Sequence, residues 1–424
     1  MTEGLFKLLE KLKYEQCIVK HFQKILTDIN QIIKLTLEGK ANFTQEDINN
    51  LYQSIGIIIA YSGTDMTTKL SILQNNYTTL INTLKNSAMA PNASTQFIKS
   101  IALMLRSFES EAEGELKEFV KRIAQTTLEI LTRHSNEPMI RENIIQLLHK
   151  IVIIIGAEIA PMLKQFLSLI LQQNCDLKIL SEVVKLSGQA AHKWKAKAID
   201  FIREVSYFLL QSMTSLGFPS AKVSDIDKEH LELILNYLKY LRAVNLIDVC
   251  LLYELSVDRF TMLVQYLGKC VECTVDEQLK KGGLLCIGMI IGGSIGLNLV
   301  SENLGTIVNT QPVKTARMPL LLPEYAIHAK ILIEMAEEVA LKVLEKVNVQ
   351  SYQDTQTLPD IVVLHYLLCK VDQDNFLKKY EGWVNMRVPT IGYQNVKMSL
   401  GGLVEKKMLK EYKDTLNMIV SLIH

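Results

Sequence analysis

The chain is 424 residues long, 48% hydrophobic and almost neutral, with a formal charge of +1. That is apolar material for a large core, and more than one compact domain usually spans. Near-neutrality excludes a global basic field, so a nucleic-acid partner would have to be held by local patches.

Nine prolines and twenty glycines are few for this length, which argues against disorder and against an all-β fold. Seven scattered cysteines (Cys17, Cys175, Cys250, Cys270, Cys273, Cys286, Cys369) suit a reducing compartment with free buried thiols. The first residues, MTEGLFKLLEKLKYEQ, are amphipathic and charged, unlike the uninterrupted apolar run of a signal peptide.

In chain order the sequence is a succession of expected helical hairpins. Leu5, Leu8, Leu9 and Leu12 place a first helix, and Val19, Phe22, Leu26, Ile29 and Ile33 a second; spacings of three and four put each set on one face. Leu51 to Leu84 is the clearest unit. Leu51, Ile55, Ile58 and Ile59 form one stripe, Ser62-Gly63-Thr64-Asp65 punctuates, and Leu70, Leu73, Tyr77, Leu80, Ile81 and Leu84 form the next stripe. Thr44-Gln45-Glu46-Asp47 supplies the start as a capping-box variant with Asp in fourth place. Such a hairpin cannot bury both apolar faces alone, so it predicts neighbours of the same kind.

After Ala90-Pro91-Asn92, helices are expected from Phe97 to near Ser110, from Leu116 to Leu131, from Ile140 to Ile155 behind Ser135-Asn136-Glu137-Pro138, and from Pro161 to Gln172. Then come Asp176 to Leu186, a long helix from Trp194 to Leu216, and one capped by Ser224-Asp225-Ile226-Asp227. Ser256 to Cys273 and Thr274 to Ile291 look like another pair, with Thr274-Val275-Asp276-Glu277 as a capping box. The stretch near 309–323, holding Pro312, Pro319 and Pro323, is irregular. Helices from Glu324 to Val347, Leu358 to Cys369, Gln373 to Trp383 and Gly402 to Leu422 complete the chain. Every proline is expected at a boundary. Pairs recur about every 40 residues, the period of HEAT and armadillo repeats. The expected fold class is therefore all-α: an α-α superhelix, a HEAT-like or armadillo-like solenoid of antiparallel helix pairs over residues 1–424, with a compact α-bundle as the alternative.

Gly282 to Val300 is uncharged and contains Gly288-x-x-x-Gly292 and Gly292-x-x-x-Gly296, a transmembrane pattern on paper. Its glycine content, with Gly292-Gly293-Ser294 as a stop, favours a buried helix ending in a glycine-rich turn over a membrane span.

No P-loop, GxGxxG, HExxH or GxSxG pattern occurs. Cys270-x-x-Cys273 stands alone, without a second pair at zinc spacing. The eight histidines form no ligand cluster and are expected as surface or boundary residues. No enzyme, metal or cofactor is expected. The remaining signal is basic. The densest run is His192-Lys193-Trp194-Lys195-Ala196-Lys197, followed by Arg203. Lys193 and Lys197 are expected on one helix face, and a Trp among lysines suits a phosphate-backbone contact. The plainer alternative is a solvated helix start anchored by Trp194. Lys280 and Lys281, and Lys314 with Arg317 in the proline-containing loop, are the other RNA-contact candidates.

The string LYQSIGIIIAYSG…KLSILQNNYTTLINTL resembles the LYE-(S/T)-x-G-x-L-I hairpin of the exportin-T family, karyopherin-β proteins that carry tRNA out of the nucleus. HFQKILTDINQIIKL, RENIIQLLHKIVIIIGAEIAPMLKQFL, FIREVSYFLLQSMTSLG and, more loosely, MPLLLPEYAIHAKILIEMAEEV resemble further helices of that family in the same order. The hairpin alone is shared with transportin-3-type relatives; the ordered set favours exportin-T. The resemblance covers only the C-terminal part of a family typically more than twice this length. The expectation is therefore a fragment, a truncated gene model or a half-length relative, with the N-terminal Ran-binding repeats absent. The resemblance implies a monomer that binds folded tRNA together with Ran-GTP, meets nuclear pore proteins and shuttles between nucleus and cytoplasm. A protein-binding HEAT scaffold or a transportin-3-type import receptor is the alternative.

Overall fold

A computed structural model describes residues 2–12, 20–37, 40–61, 65–171, 176–216, 228–273, 276–295, 322–346 and 352–385. Among them every regular element is a helix. The chain divides into two compact units, residues 1–194 and 195–424.

The first unit contains α1 (Thr2–Leu12), α2 (Phe22–Leu37), α3 (Gln45–Tyr61), α4 (Met66–Asn86), α5 (Pro91–Leu105), α6 (Gly114–Arg133), α7 (Pro138–Ile155), α8 (Ala160–Leu171) and α9 (Leu177–Trp194). The clearest sequence signals are realised here. Thr44 and Asp47 close a reciprocal capping box: the Asp47 N–H donates to Thr44 Oγ1 at 3.2 Å, and the Thr44 N–H donates to Asp47 Oδ2 at 3.1 Å. Asp65 caps α4 by accepting from the Thr68 N–H at 2.9 Å. Pro91 and Pro138 open α5 and α7, where the missing N–H costs nothing.

Packing follows one rule. α3 contacts α2 and α4, its neighbours in sequence, and also α1 and α5, the next but one; α7 contacts α6 and also α5 and α9. The helices of the row α1, α3, α5, α7, α9 begin at Thr2, Gln45, Pro91, Pro138 and Leu177, 39 to 47 residues apart, the spacing of a HEAT-type repeat. Rungs between α7 and α9 fix their relative direction. Glu142 pairs with Lys178 at 3.0 Å, the Gln146 amide reaches Glu182 at 3.5 Å, the Gln189 amide donates to the His149 carbonyl at 3.2 Å, and the Trp194 indole donates to the Val152 carbonyl at 3.2 Å. Both residue numbers rise together, so next-but-one helices run parallel, as in stacked repeats.

The second unit contains α10 (Ile199–Ser215), α11 (Lys228–Ile247), a single turn at Cys250–Tyr253, α12 (Val257–Glu272), α13 (Glu277–Ser294), α14 (Ala326–Lys346), α15 (Tyr352–Val371) and α16 (Gln373–Asn385). It repeats the rule: α12 contacts α13 and also α10 and α14, and α13 contacts α11 and α15. Each unit is thus an all-α stack of HEAT- or armadillo-like helix pairs.

Two glycines mark where helices approach closely. A Cβ on Gly56 would lie 2.5 Å from the Met104 carbonyl oxygen of α5. One on Gly283 would lie 2.8 Å from Val271 Cγ2 and 3.0 Å from Cys270 Cβ of α12. Gly283 belongs to the uncharged stretch, whose 283–292 run is buried in the second unit and whose helix ends at Ser294. This is the expected buried helix. Residues 296–300 lie outside the described residues. A different stretch, Pro138–Leu171, is long and apolar enough to cross a bilayer, but more than half of its apolar window is buried in the protein. It is also broken at Gly156, whose φ is +73° and whose absent side chain leaves room for the Glu111 carboxylate.

Several expectations are corrected. α5 ends at Leu105, before Phe108. The cap of α13 is Asp276, which accepts from the Leu279 N–H at 2.9 Å; Thr274 lies outside the described residues, as do the Ser224–Asp227 cap, most of the 309–323 segment and the helix expected from Gly402. Pro359 falls inside α15, not at its start, although proline cannot donate the hydrogen bond a helix interior calls for. His328 and His365 are buried, not surface residues. His365 Nε2 lies 3.3 Å from the Ala340 carbonyl, and its ring meets Phe376 and Tyr380 edge-on; full burial holds its pKa down to about 4.

Gly56→Ala is expected to cost about 1–3 kcal/mol, because the new methyl meets backbone and not a movable side chain; an unchanged urea midpoint would show that α3 and α5 do not approach this closely. His365 resists a proton that the unfolded chain accepts below its ordinary pKa of 6.5. Its contribution is full above that value and is lost as pH falls from 6.5 towards 4. Urea unfolding across this window should show a shallower pH slope for His365→Phe than for wild type, and equal slopes would refute the assignment.

Candidate nucleic-acid interface

The basic run falls at a helix break. α9 ends at Trp194, a 3-10 turn covers Lys195–Ala198, and α10 starts at Ile199. The expected continuous helix from Trp194 to Leu216 is therefore wrong at its beginning. Lys195 has a φ of +51°, a left-handed conformation that an α-helix cannot contain. Lys193 and Lys197 consequently do not share a helix face, and they belong to different units.

Trp194 is 5% exposed, and its indole N–H is used on Val152. It is an anchor for the end of α9 and offers no ring to a base. Lys193, Lys195 and Lys197 are all exposed, and none has an ion-pair partner among the described residues.

Arg203 is different. Its guanidinium grips Glu254 with Nε at 2.7 Å and Nη2 at 3.3 Å, and it reaches Asp200 with Nη1 at 2.7 Å. The Glu254 hydrogen bond, the largest cause, raises its pKa further. A forked arginine already holding a carboxylate is not available to a phosphate. Lys280, in the first turn of α13, is half-buried and lies 3.9 Å from Glu277. Lys281, also half-buried, lines a cavity between α11, α13 and α15. Lys314 and Arg317 lie outside the described residues.

Several cations elsewhere are matched by carboxylates or rings. Glu158 accepts from Lys121 and Lys117 at 2.7 and 2.9 Å, and these hydrogen bonds hold its carboxyl down to about 2. Glu182 is held at about 2, chiefly by His149, whose Nε2 lies 3.7 Å away, and also by Lys185 at 2.7 Å. Lys342 bridges Glu338 and Glu272 at 2.7 and 2.9 Å. Arg259 lies 3.4 Å from the centre of the Tyr207 ring. Against this background the three lysines at the α9–α10 break are the exposed, uncommitted members of the predicted set.

Two cations that the sequence reading passed over, Lys239 and Arg242, line the same cavity as Lys281. Their i, i+3 spacing on α11 was visible in the sequence, but not the neighbouring helix that makes it meaningful. Among the described residues no group of three or more His, Cys, Asp or Glu side chains is placed to hold a metal. The Cys270 thiol is fully buried, and burial pushes its pKa well up.

No family model matches the chain, and a search of curated proteins returns no matching sequence.

Trp194→Ala is expected to destabilise the protein by about 3–5 kcal/mol, and an unchanged urea midpoint would show that the indole does not anchor the end of α9.

Proposed function

We propose that this protein is a helical-repeat receptor for folded RNA, a nuclear tRNA exporter of the exportin-T kind represented by that family's C-terminal part. The observation that carries the reading is that Lys193, Lys195 and Lys197 are each exposed and uncommitted, in a chain of helix pairs whose residue strings resemble that family's in the same order. Ammonium groups of this type make phosphate contacts that position an RNA without reading its bases. A folded RNA is then recognised by its shape and backbone. With a net charge of +1, binding would depend on such local contacts and fall steeply with salt. In this reading Ran-GTP stabilises the cargo-bound form, nuclear pore proteins are transient partners, and the protein shuttles between nucleus and cytoplasm as a monomer without a cofactor.

A second reading, a protein-binding scaffold or a transportin-3-type import receptor, is favoured by one finding: Arg203, the strongest phosphate ligand in the basic run, is committed to Glu254 and Asp200.

Filter binding across a salt series, with tRNA beside an unstructured RNA of equal length, separates the two. The expected outcome is tighter binding of tRNA. Lys193→Gln, Lys195→Gln and Lys197→Gln together should reduce the salt slope by about 2. Equal affinity for both RNAs would sink shape recognition, and protein partners recovered after nuclease treatment without any RNA affinity would favour the scaffold.

A further inference from the structure

Four helices of the first unit, α2, α3, α4 and α5, leave between them a cleft of about 220 Å³. Ile33, Ile48, Leu80 and Leu84 form its aliphatic walls, and the rings of Phe43, Tyr52 and Phe97 complete its apolar lining. Among the described residues no charged side chain lines it. Gln45 and Thr83 are exposed at its mouth, whereas Tyr52 and Phe97 are buried within.

The walls stand on contacts that need no ligand. Phe97 meets Tyr77 of α4 edge-on, with ring centres 5.8 Å apart. The Thr44–Asp47 box fixes the start of α3 beside the mouth, and the close approach at Gly56 holds α3 against α5. Most polar side chains of the lining are occupied locally. Thr36 and Thr83 donate to the Ile32 and Thr79 carbonyls at 2.9 and 3.1 Å, and the Gln45 and Gln96 amides donate to Asn49 at 3.3 Å and Ser100 at 2.8 Å.

Tyr52 is the exception. It is 2% exposed, and its hydroxyl has no hydrogen-bond partner among the described residues; burial alone raises its pKa. A buried hydroxyl left without a partner is costly, and this one can both donate and accept. We infer that the cleft binds a small neutral aromatic molecule carrying a hydroxyl, of the phenol class, with its ring against Phe43 and Phe97 and its hydroxyl bonded to that of Tyr52. Each part of that description has its own cause. A phosphate or carboxylate would be desolvated with no lining cation to offset the cost. Rings in the wall favour edge and offset contacts with another ring. The uncommitted hydroxyl calls for one polar atom and no more, the usual make-up of a small-molecule site. Size agrees, because a cavity of about 150 Å³ lined by Leu, Ile and Phe already holds benzene.

Isothermal titration of the full chain with phenol, benzene, cyclohexanol and benzoate tests this. Phenol should bind at one site, about fivefold tighter than benzene for one added neutral hydrogen bond, and tighter than cyclohexanol; benzoate should not bind. Tyr52→Phe keeps the ring and loses no hydrogen bond within the protein. It should fold like wild type, bind benzene unchanged and lose the preference for phenol. Ala93→Leu, which fills the cleft from α5 and leaves Tyr52 in place, should weaken both phenol and benzene. No saturable phenol binding by wild type, or a phenol preference that survives in Tyr52→Phe, overturns the site. Cyclohexanol or benzoate binding as tightly as phenol overturns the ligand class. A Tyr52→Phe protein less stable than wild type would show that the hydroxyl already has a partner inside the protein, and overturns the inference as well.

Discussion

A helix that is apolar around most of its circumference must be covered from more than one side. In the first unit α7 buries both Ile145 and Ile154, nine residues apart and so on opposite sides of the helix, and in the second α13 buries nearly every residue from Gly283 to Gly292. One partner helix cannot cover such a surface. The rest of the architecture follows from this demand. The sequence neighbour covers one side, the next-but-one helix covers another, and rows of parallel helices result. Gly56 matters because α3 and α5 of one row come closest there, and Gly283 because it lets α13 close on its sequence neighbour α12.

Much of this was legible from one-dimensional cues. Phe22, Leu26, Ile29 and Ile33 were placed on one face by their spacing, and all four are buried. The Thr44–Asp47 box was readable because its two hydrogen bonds involve residues three apart in the chain. Local chemistry writes local signals. The break after Trp194 was not readable. Nothing in the letters of Lys195 announces a φ of +51°, and its flanking residues are good helix formers. Beside the break lies a tertiary tie, the Trp194 indole donating to Val152, forty-two residues earlier. His365 was misplaced for a related reason, since its burial depends on rings that α16 brings to it from Phe376 and Tyr380.

The basic candidates divide along the same line. Charge density along the sequence named Lys193, Lys195, Lys197 and Arg203 together, yet their availability differs because Glu254, fifty-one residues from Arg203, consumes only that one. The cavity cations were invisible as a set for the same reason. Lys239, Arg242 and Lys281 come together only once α11 and α13 lie side by side. In a nearly neutral chain, function depends less on how many cations exist than on which are left without carboxylates.

The rungs between next-but-one helices have a kinetic side. Glu142 reaches Lys178, Val152 reaches Trp194 and Leu238 reaches Cys286, spans of 36, 42 and 48 residues. Each unit is thus closed by contacts of short reach along the chain, which keeps loop-closure entropy low and folding fast. During synthesis every emerging pair finds the surface it needs already made by the pair before it. Such a chain can assemble progressively from its N-terminal side, without waiting for a distant segment to arrive.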